Sequence, residues 1–82
     1  MKIQIMLIVP AISTSYNVLL PESLAIRDML PLLIRGVTEL SNNSYVSSNE
    51  EFLCLDPLEL PLCPDGTLLQ FGIQNGDHLY LI

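Results

Sequence analysis

The sequence predicts an α+β domain, a mixed sheet of four to five strands with one main helix on one face. Three observations carry this. The apolar period is two over residues 2–9 and again over 15–20, which marks strands. It changes to about 3.6 after Pro21, which marks a helix. Short β-rich runs separated by Pro and Asp-Gly or Asn-Gly then return to strand character. The chain is 82 residues long, so residues 1–82 form one domain with no detectable repeat.

In the first strand Ile3, Ile5, Leu7 and Val9 fall on one side, with Lys2, Gln4, Met6 and Ile8 on the other. Pro10 ends it and residues 11–14 make a turn. Tyr16, Val18 and Leu20 then alternate with Ser15, Asn17 and Leu19. Such a short link makes the second strand a hairpin partner of the first. Ile26, Met29, Leu30, Leu33, Ile34 and Val37 form a helical stripe, with Ser23 as the expected N-cap. Pro31 should kink the helix unless it faces solvent in an early turn. Gly36 could end the helix, but a longer version to Leu40 is favoured. Residues 41–50 are rich in Ser and Asn and read as a loop. Residues 51–56 read as a strand, residues 59–62 as a very short edge strand, residues 67–71 as a helical turn and residues 78–82 as the last strand. The expected core is Ile3, Ile5, Leu7, Tyr16, Val18, Leu20, Ile26, Met29, Leu30, Leu33, Ile34, Leu62, Leu68, Ile73, Leu79 and Leu81.

Composition removes several function classes. Nine acidic side chains stand against three basic ones, Lys2, Arg27 and Arg35, for a net charge of −6. Three scattered cations cannot neutralise a phosphate backbone, so neither nucleic acid nor an anionic membrane surface is an expected partner. Apolar runs fall far short of the roughly 18 residues a spanning helix needs, so no direct membrane insertion is expected. The start, with one Lys and a run cut by Gln4 and Pro10, fits a strand better than a signal peptide. Cys54 and Cys63 are too few for a disulfide framework and read as free thiols in a reducing cytoplasm. Half the residues are apolar, seventeen of them Leu. That exceeds what one small core needs, so some apolar surface should be exposed.

Catalytic and metal-binding patterns are not expected. His78 follows Asp77, but adjacent strand residues point to opposite faces and nothing supplies a third group. Acidic neighbours Glu50, Glu51, Asp56, Glu59 and Asp65 oppose thiolate formation at either cysteine. Cys63, His78 and carboxylates show no metal-ligand spacing, and the four glycines are isolated rather than gathered in a phosphate loop. The expectation is therefore no catalytic residue, no metal and no cofactor.

The run Asp65-Gly66-Thr67-Leu68-Leu69-Gln70-Phe71-Gly72-Ile73-Gln74-Asn75-Gly76-Asp77-His78-Leu79-Tyr80-Leu81 resembles the closing segment of ubiquitin-like β-grasp domains. Leu68 and Ile73 would plug the core from either side of a turn, and Gly76 would take positive φ before the last strand. A narrower likeness lies in Leu20-Pro21-Glu22-Ser23-Leu24-Ala25-Ile26-Arg27-Asp28-Met29-Leu30-Pro31-Leu32-Leu33-Ile34-Arg35. A Leu-Pro closing the second strand, followed by a helix with Leu-Pro inside it, resembles the YukD/EsaB ubiquitin-like family of type VII secretion systems. It is equally similar to the ubiquitin-like domain of the membrane component EccD. The residues leave open whether the chain stands alone or belongs to a larger membrane component. The resemblance implies a cytoplasmic protein that accompanies a Gram-positive secretion machine and acts by protein contacts, without enzymatic activity.

Conjugated ubiquitin-like tags and sulfur carriers end in Gly-Gly, whereas this sequence ends Tyr80-Leu81-Ile82, so a non-conjugating module is expected. The alternative is a sulfur-carrier or modifier relative lacking its Gly-Gly tail. Placing Ile3, Ile5, Leu79 and Leu81 inward forces Met6, Ile8, Tyr80 and Ile82 outward. These four are the expected protein-binding residues, with Asn17, Leu19, Phe52 and Cys54 as flanking candidates. Their partner is a secretion-machine component or a second copy forming a homodimer.

Overall fold

A computed structural model describes residues 2–48, 50–55 and 61–82. The elements run β1 (Lys2–Val9), a 3-10 turn (Pro10–Ile12), β2 (Thr14–Pro21), α1 (Ile26–Leu40), β3 (Leu53–Leu55) and β4 (His78–Leu81). Among the described residues the sheet has four strands in the order β2-β1-β4-β3. β1 pairs antiparallel with β2 and parallel with β4, and β3 closes the other edge antiparallel to β4. The ends of the chain thus form the sheet's centre, and α1 packs across one face.

Alternation in β1 works as its period requires. Ile3, Ile5, Leu7 and Val9 are buried, while Lys2 and Gln4 are exposed on the other side. Pro10 ends the strand, and Ser13 in the left-handed region (φ 52°) turns the chain into β2. On the helix Ile26, Met29, Leu33 and Val37 are buried on one stripe. Pro31 lies on the exposed side, and the helix runs through Gly36 to Leu40. Past its end, Asn42 and Asn43 adopt positive φ (54° and 66°), a conformation Asn tolerates better than most residues.

The helix start differs from expectation. Ser23 lies in a turn, and Ala25 occupies the cap position without a side-chain bond. Tertiary contacts replace it: the Ile26 N–H donates to the Gly66 carbonyl (2.9 Å) and the Arg27 N–H to the Pro64 carbonyl (3.0 Å). Two orphan donors of the first turn are therefore satisfied from roughly 40 residues away in sequence, by backbone rather than by a local hydroxyl. In that distant segment Thr67 and Gln70 bond reciprocally, the Thr67 N–H to Gln70 Oε1 (3.0 Å) and the Gln70 N–H to Thr67 Oγ1 (3.1 Å). This holds a hydrogen-bonded turn, not a helix, with Leu68 at its buried side.

The core departs from expectation at its margins. Tyr16, Val18, Leu30, Ile34 and Leu62 are only partly buried and pack against the core. Tyr16 and Val18 sit on the edge strand β2, which α1 covers incompletely. Val9, Val37, Tyr45 and Leu53 are buried instead. Tyr45 comes from the Ser/Asn-rich segment that reads as a loop. Of the expected strand at 51–56, β3 takes Leu53–Leu55, Glu51 and Phe52 precede it, and Asp56 lies outside the described residues. Of the expected edge strand at 59–62, Pro61 bridges Cys54 and the Leu62 N–H donates to the Leu53 carbonyl (2.7 Å). Glu59 and Leu60 lie outside the described residues. Among the described residues no helix is long and apolar enough to cross a membrane.

Candidate protein-binding surface

The helix-free face of the sheet gathers the expected residues. Strand register places Met6 beside His78 and Ile8 beside Tyr80, while Tyr80 faces Cys54 across the other ladder. One pair further on, Ile82 and Phe52 exchange both backbone bonds (Phe52 N–H to Ile82 carbonyl 2.8 Å, Ile82 N–H to Phe52 carbonyl 3.0 Å). Met6, Ile8 and Tyr80 are half-buried, and Ile82 and Phe52 remain 61% and 47% exposed. The result is a diagonal apolar stripe with no carboxylate among the described residues that form it, of the kind that marks contact surfaces.

Of the flanking candidates, Phe52 joins the stripe. Asn17 lies beside Met6, and Leu19 lies beside Gln4 at a far corner. Cys54 shares the row of Tyr80 but is buried, so it offers no contact area. Burial also pushes its thiol pKa up, which keeps it protonated and unreactive. Cys63 is exposed, and both cysteines are free. Val46 was not foreseen. It is 83% exposed and lines a shallow depression with Pro10, Ala11 and Ile82, which carries the stripe over the sheet rim. Its sequence signal is faint, one β-branched residue in a polar run.

The same loop is anchored beneath that rim. The Tyr45 hydroxyl donates to Glu51 Oε2 (2.7 Å), and both side chains are buried. Burial opposes the Glu51 charge, but hydrogen bonds from Ser47, from Tyr45 and from the backbone N–H groups of Glu51 and Ser48 outweigh it. Together they hold the carboxyl below its ordinary value. Burial, followed by the Glu51 bond and charge, pushes the Tyr45 phenol up. The pair positions the loop. Among the described residues no three His, Cys, Asp or Glu side chains converge as metal ligands.

No protein-family model matches the chain, and neither does any curated protein sequence. Solved structures do. The EccD5 ubiquitin-like domain from Mycobacterium xenopi superposes with a TM-score of 0.85 at 19% identity, covering 100% of this chain and 93% of that one. The ubiquitin-like domain of the Mycobacterium tuberculosis type VII secretion protein ECCD1 gives 0.82 at 13%, covering 100% and 98%. A chain of the ESX-5 inner membrane complex gives 0.84 at 17%, where this chain matches 99% of itself and 20% of the larger one. The chain has the ubiquitin-like β-grasp fold, in the form seen in the ubiquitin-like domains of EccD proteins.

Proposed function

We propose that this chain is a non-enzymatic, non-conjugating interaction module of the YukD/EsaB kind, an accessory or regulatory component of a Gram-positive type VII secretion system. It works in the cytoplasm by binding a protein component of that machine. The observation that carries this reading is the apolar stripe of Met6, Ile8, Tyr80 and Ile82 on the helix-free face of a domain shaped like those of EccD. Tyr and Met are favoured at interface centres, and the stripe lacks the charges that are depleted there.

The test combines Ile8→Glu with Tyr80→Glu and measures binding to a purified type VII inner-membrane complex from the same cell. Both side chains are half-buried on the outer face, so circular dichroism should stay unchanged while affinity falls about a hundredfold, as expected on losing a central anchor. A folded double variant that binds like the parent moves the interface to the helix face around Arg27, Leu32 and Arg35. Incubation with ATP and a ubiquitin-activating-type enzyme should leave the mass unchanged. An adduct would instead support the modifier or sulfur-carrier reading.

A further inference from the structure

The opposite edge of the sheet carries a second, independent surface. On β1 the Met6 N–H donates to the Asp77 carbonyl (2.9 Å), the Gly76 N–H to the Gln4 carbonyl (2.8 Å) and the Gln4 N–H to Asn75 Oδ1 (2.8 Å). Even-numbered β1 residues therefore turn their backbone toward β4. Ile3, Ile5, Leu7 and Val9 turn theirs toward β2, where Leu20, Val18, Tyr16 and Thr14 oppose them. By the alternation of an antiparallel ladder, Ser15, Asn17 and Leu19 direct their N–H and C=O groups away from the sheet. Among the described residues no strand lies beyond β2. Its eight residues carry no charge, and its one Pro is the last residue. Long edges are ordinarily blunted by Lys, Pro or a bulge, and this one is bare from Thr14 to Leu20.

On the helix side of that edge runs an apolar groove of about 250 Å³, with Tyr16, Val18 and Leu20 on one wall and Leu32, Gly36 and Leu40 on the other. Leu32 and Leu40 are 61% and 62% exposed. Gly36 sits between them at four-residue spacing. A Cβ there would meet no atom within 4 Å, so no packing among the described residues requires a glycine at a position where Ala is the better helix former. What its missing side chain does provide is close approach to the groove floor.

We propose that this groove docks an extended segment of a partner protein, apolar at alternate positions and flanked by Lys or Arg. The segment adds as a strand beyond β2, bonds to Ser15, Asn17 and Leu19, and lays alternate side chains over Gly36. Charge selects this occupant over a second copy. Each chain carries −6, so two copies repel. Asp28, one turn before Leu32 on the same helix face, is exposed and makes no ion pair among the described residues. The two cations of α1 are engaged, Arg27 with Asp65 (2.8 Å) and Arg35 with Glu39 (3.4 Å).

The probe is a fluorescent peptide, Lys-Lys-Val-Ile-Val-Ile-Ser-Lys, titrated against the full chain by anisotropy. Saturable binding is expected, with amide exchange at Ser15, Asn17 and Leu19 slowed about tenfold or more. Replacing the peptide's Lys by Glu should weaken binding about tenfold. Gly36→Leu fills the floor, and Asn17→Pro removes an outward donor without touching the β1 ladder. Each should keep the parent's circular dichroism and lose about tenfold in affinity. The Ile8→Glu, Tyr80→Glu variant should bind the peptide normally, which separates this site from the outer stripe. Absence of saturable binding, full binding by both folded groove variants, or equal affinity for the Glu peptide would overturn the proposal. So would a chain that sediments alone as a dimer with those three amides already protected, since a second copy would then own the edge.

Discussion

Glu51 shows how much one residue's meaning depends on its neighbours. In sequence it is one of two consecutive acids beside a polar run. In the fold it is buried and accepts a bond from Tyr45. Its carboxyl is held below the ordinary value of 4.5, so the folded state favours the ionised form. That stabilisation is fully present above the unfolded pKa and is lost as pH falls through the lower, folded one. Thermal melts should therefore lose stability as pH drops below about 4.5. Glu51→Gln should cost about 1–3 kcal/mol at pH 7 and should flatten this acid limb. A variant whose acid limb matches the parent's would remove Glu51 as its source. Tyr45 was illegible for a physical reason. An aromatic among Ser and Asn has no periodic partner, so only the closed fold shows that it reaches the core.

At the scale of elements, the sheet and helix phases were legible because period two and period 3.6 are local properties. β1, β2 and β4 fall within a residue or so of where their patterns place them, α1 ends at Leu40 as expected, and the inward phase of Ile3, Ile5, Leu79 and Leu81 is as expected. The helix start was misplaced because its donors are met by Pro64 and Gly66, groups no local pattern reveals. This tie makes the 64–73 turn part of the helix's support. Leu68 is fully buried and Leu33 is 5% exposed. Leu68→Ala and Leu33→Ala should each cost about 2–5 kcal/mol in chemical denaturation, a large share of a small domain's stability. If either unfolds at the parent's midpoint with an unchanged slope, that side chain is not part of the core.

For the whole molecule, charge is the property least softened by the fold. The two ion pairs described, Arg27–Asp65 and Arg35–Glu39, are both on the surface and are worth little. The surplus of acid therefore repels itself across a small domain. Raising salt from about 10 to 150 mM shortens the screening length to roughly 8 Å and should relieve part of that repulsion. A gain of about 0.5 kcal/mol would raise the melting temperature by roughly 2–4 °C. A melting temperature that falls with salt would show that the surface pairs outweigh the net charge.

The amino-acid order by itself determined the α+β class, the hairpin, the helical stripe and the outward set Met6, Ile8, Tyr80 and Ile82, because each follows from side-chain alternation along a single element. Only the tertiary structure decided that β4 lies parallel to β1, which turns those four separated residues into one stripe. It also decided that Cys54 is covered while Phe52 stays exposed, and that β2 is the edge strand of the described sheet, beside Gly36. The reason is common to all three. Pairing between strands 70 residues apart, roughly, and the cover one segment gives another depend on loop closure and long-range burial, which local periodicity does not encode.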